Sequence, residues 1–207
     1  MQTYLSNLIQ NIPQRETPLY LDVVLEGGAF NGGFLYGALL FLRELKKKNH
    51  VVIRRMSGCS IGAILSFLFL VGRLEEMEKY YETLRNHLKK NLNVKISKRM
   101  LERNMREIKG EDFNKIRSGV LYISYYDTEK KKLVVQNEFK SKKDLLDALL
   151  KSSHFPFLID GKCLRNKRYV DGLVPYIFSQ RERRPSERIL YMTINRFSQL
   201  KGMFNTR

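Results

Sequence analysis

Twice within the first third of the chain, a short apolar run ends in a glycine-rich turn and passes directly into a segment with helical spacing. Residues 20–25 lead into Gly27-Gly28-Ala29-Phe30-Asn31-Gly32-Gly33, after which 34–48 reads as a helix. Residues 51–56 run into Ser57-Gly58-Cys59-Ser60-Ile61-Gly62, and an apolar helix follows, ending near Gly72. Short apolar runs bounded by glycine read as buried strands. Two strands separated by a helix are joined most simply as parallel neighbours with a crossover, which places this half of the chain in the α/β class.

The remaining pattern is compatible with one domain spanning residues 1–207. Tyr4, Leu5, Leu8, Ile9 and Ile12 recur at helical spacing before Pro13, so residues 1–13 are expected to form a short amphipathic helix packed on the domain. Leu74, Met77, Tyr81, Leu84 and Leu88 mark another helical face, whereas 91–110 is basic and weakly periodic, helical or irregular. Residues 120–126 and 132–139 flank a polar turn and predict a hairpin. Ser141 and Asp144 form a capping-box-like start to a leucine-rich helix. Asp160-Gly161 is expected to join two strands in a hairpin, 168–172 is a short apolar run ending in Asp171-Gly172, and 189–194 reads as a late strand.

A hydrophobic content of 43% is enough to fill a core. The longest apolar stretch, 61–71, is well short of the roughly 20 residues that cross a bilayer. No basic segment followed by an apolar run opens the chain, so the expectation is a cytoplasmic protein without signal peptide or transmembrane segment. Cys59 and Cys163 lack any CxxC or histidine context, which argues against a disulfide framework or zinc site. The formal charge of +17 favours a polyanionic partner, either nucleic acid or an anionic membrane surface. Nucleic acid is disfavoured because most aromatics lie in apolar runs rather than among the basic residues.

Gly58-Cys59-Ser60-Ile61-Gly62 matches G-x-S-x-G, in which small flanking residues let the chain turn sharply and expose the serine hydroxyl. Cys59, at an x position, is expected to pack inward. The turn at Gly27-Gly28 is neither a dinucleotide fingerprint, since Ala29 stands at the second glycine, nor a P-loop, since no Gly-Lys-Ser/Thr follows. It is a run of backbone N–H groups suited to an oxyanion, or a turn shaped only for packing. For the base there are two readings. A triad would need Asp127 or Asp147 with His154, since no histidine follows Asp171. Alternatively Asp171 itself, at the end of an apolar run and followed by Gly172, takes the serine proton.

Taken together, Gly27-Gly28-Ala29-Phe30-Asn31-Gly32, Gly58-Cys59-Ser60-Ile61-Gly62 and Asp171-Gly172 resemble, in order and spacing, the patatin-like phospholipase family. Ser152-Ser153-His154-Phe155-Pro156 is similar to that family's serine- and proline-containing segment. The sequence departs from the family pattern at Ala29, usually glycine, at Asn31, usually Arg or Lys, and at Leu173, usually a small residue. The resemblance implies a three-layer α/β/α fold with a mixed, mainly parallel sheet. It also implies a lipid acyl hydrolase with Ser60 as nucleophile, Asp171 as base, and Gly27, Gly28 and Ala29 as oxyanion donors. Gly32, Gly58, Gly62 and Gly172 are then motif glycines. Such a device needs no metal or organic cofactor. Its partners would be a phospholipid or other acyl-ester lipid and, at the periphery, an anionic membrane. The rival expectation is a non-catalytic basic module that binds anionic lipid or nucleic acid.

Overall fold

Strand β1 (Leu19–Leu25) lies at the heart of the sheet, and its last five residues are buried. A computed structural model of the chain describes residues 2–14, 16–28, 31–179 and 187–194. Before β1 comes α1 (Gln2–Gln10), and after it α2 (Gly32–Lys47), β2 (Val51–Cys59), α3 (Ile61–Leu70), α4 (Glu76–Leu88), α5 (Ile96–Glu107) and α6 (Gly110–Ile116). The chain continues through β3 (Ser118–Asp127), β4 (Lys132–Glu138), α7 (Lys142–Ser152), β5 (Tyr169–Asp171) and β6 (Glu187–Met192).

The strands form one sheet in the order β4-β3-β2-β1-β6, with β5 added to β3. β1 pairs in parallel with both β2 and β6, and β2 in parallel with β3, whereas β4 and β5 run antiparallel to β3. Helices flank this mixed, mostly parallel sheet in a three-layer α/β/α arrangement, as crossover connections require. Helix α3 is apolar on every side because it is enclosed, with residues 61–69 all buried. Val23, Leu39, Met56, Phe67, Leu121 and Leu149 belong to the same core. Asp22 is buried in β1 and is matched by Arg55 of β2, whose Nε lies 3.0 Å from the carboxylate.

Register places the functional segments. β1 and β2 align Leu25 with Gly58, so two residues further on Gly27 comes opposite Ser60 at the carboxyl ends of the strands. β2 pairs with β3 only as far as Cys59 opposite Ser124, and β5 then takes over the same edge with Asp171 opposite Tyr125. The other edge of β3 is occupied there by β4. Ser60 and Asp171 therefore meet where β2 gives way to β5.

One expectation needs correction, and one left open is resolved. Asp160-Gly161 is not a strand-joining hairpin: Gly161 N–H bonds Phe157 O in an isolated turn, and β5 pairs with β3 instead. The weakly periodic 91–110 segment contains helix α5, whose buried Met100, Leu101, Asn104 and Met105 form one face. Asn104 turns its amide back to Met100 O at 3.1 Å, which lets a polar residue occupy a buried helical position. Ser141 caps α7, accepting from Asp144 N–H at 3.2 Å. Among the described residues no helix is long and apolar enough to cross a membrane. Arg181, Arg183 and Arg184, which contribute to the formal charge of +17, lie outside the described residues.

Candidate active site

Ser60 follows β2 and precedes α3 with φ 53° and ψ −127°, a left-handed conformation uncommon for a residue with a side chain. Strain of this kind costs about 1–3 kcal/mol and persists only where the surroundings impose it. The flanking glycines make the turn possible. A Cβ on Gly62 would lie 2.6 Å from Glu26 O and 2.7 Å from Leu25 O, and one on Gly58 would lie 2.4 Å from the carbonyl carbon of Gly62. The spacing of the G-x-S-x-G string is thus a requirement of helix α3 seated against the end of β1. Gly32 has a comparable role, since a Cβ there would meet the Tyr81 hydroxyl at 2.3 Å and Ile61 at 2.5 Å.

The Ser60 side chain lies beside the Asp171 carboxylate, close enough to act on its pKa. Asp171 is 6% exposed, and burial raises its pKa above the ordinary value while Ser60 and the bond from Leu173 N–H oppose the rise. The Leu173 bond measures 2.9 Å and the Asp171 N–H donates to His154 O at 3.0 Å, so the carboxylate and its backbone are both held. Gly172 is needed because a Cβ would come within 2.4 Å of Ser124 O. A buried carboxylate with raised basicity, set beside a hydroxyl, is equipped to take a proton from it.

Gly27 faces this pair: a Cβ there would lie 3.2 Å from Ser60 Cβ and 3.1 Å from Cys59 Sγ. Its backbone lies beside the Cys59 sulfur and acts to lower that thiol's pKa. Gly28 packs against Ile194, where a Cβ would lie 2.0 Å from Cδ1, and Ile194 N–H donates to the Glu26 carboxylate at 2.8 Å. The segment after β6 therefore buttresses the glycine loop, a contact no motif signalled. Ala29 lies outside the described residues. Asn31 N–H bonds Gly28 O at 2.9 Å and opens α2.

The histidine-based triad is not assembled. Asp127 is bound by Arg168 through two bonds of 2.8 and 2.7 Å, and that guanidinium holds its pKa down to about 2. Asp147 is engaged by Lys151 and Arg165. His154 is fully buried, both its ring nitrogens lack a hydrogen bond of good geometry, and burial pushes its pKa down. Cys59 is also fully buried, with burial and then the Asp171 charge pushing its thiol pKa up, which leaves it a poor nucleophile.

Sequence reasoning missed Ser152. Its hydroxyl accepts the Ser60 N–H at 2.9 Å and donates to Ser124 O at 2.7 Å. A cavity of about 160 Å³ opens from Ser60 and Ser153, walled by Ile64, Tyr80, Leu84, Val94, Phe155 and Leu158 among others. Its lining is mostly apolar, suited to a hydrocarbon chain attached at the serine.

Comparison with known proteins identifies relatives and a family. The Omega-hydroxyceramide transacylase of Mus musculus is 29% identical over 161 residues, covering 73% of this chain and 26% of that protein. The Homo sapiens Omega-hydroxyceramide transacylase is 28% identical over 161 residues, covering 73% of this chain and 30% of its own length. The chain thus spans less than a third of either relative. The family described as patatin-like phospholipase matches residues 23–175, which include the glycine loop, the serine elbow and the Asp171 turn. The chain belongs to the patatin-like phospholipase family.

Proposed function

We propose that the chain hydrolyses fatty-acyl esters of phospholipids or related lipids through Ser60 and Asp171. The observation that carries this reading is the juxtaposition of the two side chains, with Ser60 on the wall of an apolar cavity. Ser60 Oγ attacks the ester carbonyl while Asp171 takes its proton. The tetrahedral oxyanion falls beside the Gly27 and Gly28 amides, and it is a far stronger acceptor than the Cys59 sulfur that Gly27 now faces. Ala29 is a third candidate donor. Collapse of the intermediate expels the alcohol, which receives the proton from Asp171 and leaves an acyl-enzyme with its chain in the cavity. Asp171 then activates water, which releases the fatty acid and restores Ser60. Neither step draws on a metal or organic cofactor.

A second outcome for the acyl group is favoured by the likeness to proteins named transacylases. A lipid hydroxyl in place of water would resolve the same acyl-enzyme into a new ester. Fluorophosphonate labelling tests the nucleophile: the wild type should label at Ser60, and Ser60→Ala should not. With a radiolabelled acyl donor, product analysis then separates free acid from transferred ester. Unchanged labelling and turnover in Ser60→Ala would remove the central claim and return weight to a non-catalytic basic module.

A further inference from the structure

We infer that the loop between α4 and α5 and the loop between α7 and β5 together form a surface that docks onto an anionic lipid bilayer, with Leu92 and Phe157 as inserting side chains. The inference rests on the lipid-hydrolase reading for its orientation, because the same two loops wall the Ser60 cavity. Val94 N–H donates to Leu158 O at 2.8 Å, which fastens the loops to each other, and Val94, Phe155 and Leu158 line the cavity. Outside that wall, Leu92 is 94% exposed and Phe157 is 64% exposed. Phe155 and Leu158 are also exposed. Scattered apolar residues on a surface need no explanation, but a group gathered at the mouth of an apolar cavity marks an interaction site.

Phe157 gives the stronger indication. Its φ is 64°, a region that bulky residues rarely occupy. The loop closes on itself to hold it there, through Phe157 N–H to Lys162 O at 2.9 Å and Gly161 N–H to Phe157 O at 3.1 Å. Burial against the chain does not compensate this unfavourable backbone, since the ring stays in solvent. A lipid phase would compensate it.

Charge identifies the bilayer as anionic. Lys89, Lys90, Lys95 and Lys98 are exposed on or beside the first loop, and residues 89–99 contain no acidic group. Lys162 and Lys167 are exposed on the second, where Asp160 is the sole acidic residue of 155–168. Aliphatic tips in a cationic field fit acyl chains beneath anionic headgroups. Single-stranded nucleic acid would use stacking aromatics alone, whereas here the exposed Phe155 and Phe157 are joined by the aliphatic Leu92 and Leu158, which suit acyl chains better than bases.

The test uses the full chain carrying Ser60→Ala, so that no lipid is consumed, sedimented with phosphatidylcholine vesicles that contain or lack phosphatidylglycerol. Binding should favour the anionic vesicles and weaken as salt shortens the Debye length below about 8 Å. Leu92→Ser and Phe157→Gly should each lower vesicle partitioning about tenfold, the order expected for withdrawing one large apolar side chain from lipid. Tyr20→Ser, at the amino end of β1 and so at the other end of the sheet from the site, should bind as the parent does. Glycine accepts a positive φ without strain, so Phe157→Gly should melt no lower than the parent, which separates lost docking from lost folding. Parent-like binding by both variants, equal binding to neutral and anionic vesicles, or preference for a single-stranded oligonucleotide overturns the inference. Ester hydrolysis without vesicle binding would sink this surface and leave the chemistry standing. Vesicle binding, together with a wild-type chain that no fluorophosphonate labels, would do the reverse.

Discussion

The Ser60 amide donates a 2.9 Å hydrogen bond to the Ser152 hydroxyl, which in turn donates one to Ser124 O at 2.7 Å. Two residues further on, His154 O accepts the Asp171 N–H at 3.0 Å. The segment that leaves α7 therefore holds the backbone of both Ser60 and Asp171, which enter the site from opposite ends of the sequence. Ser152→Ala would leave two buried polar groups without this partner, at about 1–3 kcal/mol each, and free a backbone turn that is strained as it stands. A lower melting temperature is expected, together with a fall in kcat of roughly 10–100-fold and an unchanged KM, as for misplacement of a reacting atom. Steady-state kinetics on a soluble short-chain ester check this. Wild-type kcat would mean that the bond shapes the fold but does not orient Ser60.

Asp171 inverts the usual relation between a carboxylate and stability. Burial raises its pKa in the folded chain above the ordinary 3.8, so the folded state binds its proton more tightly than the unfolded state does. Its contribution to stability is complete below 3.8 and is lost as pH rises through the raised value. Activity runs the other way, because the base must be ionised. Asp171→Asn should be inactive across the pH range yet melt at or above the wild-type temperature near neutral pH. Thermal melts at several pH values, beside ester turnover, decide it. A variant much less stable than wild type at neutral pH would contradict the burial argument.

His154 should matter to stability in acid and little to chemistry. Asp160, Arg165 and the backbone of Lys162 and Cys163 surround its ring, yet neither nitrogen is satisfied, and burial lowers its pKa below the ordinary 6.5. As pH falls below 6.5 the unfolded chain takes up this proton first, so stability drops until the folded ring also titrates. His154→Leu is expected to keep kcat within a few-fold and to flatten the acid limb of the stability curve. Complete loss of hydrolysis in His154→Leu, with activity retained in Asp171→Asn, would restore the triad reading.

The motif glycines should divide by what stands against them. Gly62→Ala and Gly172→Ala push a methyl group into backbone, at 2.6 Å from Glu26 O and 2.4 Å from Ser124 O. Each is expected to destabilise by about 1–3 kcal/mol and to lose most activity. Gly28→Ala meets only the tip of Ile194, which can rotate away. It should fold nearly as wild type does, with any deficit appearing in kcat through the oxyanion loop. Chemical denaturation of the three variants ranks them, and equal destabilisation of all three would refute the distinction.

Local pattern was sufficient for strand β1, the elbow after β2, the β3–β4 hairpin and the capped start of α7, because each depends on neighbours within a few residues. Apolar runs, glycine spacing and one serine cap carry that information directly. The resemblance of three motifs in register extended it to Ser60 and Asp171, and to the fold as a whole. Other features were out of reach for a physical reason. Asp160-Gly161 and Asp171-Gly172 are the same dipeptide, and only strand pairing separates them: β5 joins β3 at the point where β2 ends, which brings Asp171 against Ser60 and leaves Asp160 in an exposed turn. Ser152 and His154 look like an ordinary helix end followed by a candidate base. Burial and register turn the first into a hydrogen-bond acceptor for Ser60 and the second into a neutral ring whose backbone, not its imidazole, touches the site. Composition and spacing determine which elements form, whereas contacts between residues about a hundred positions apart depend on how the sheet closes, and no local window contains that.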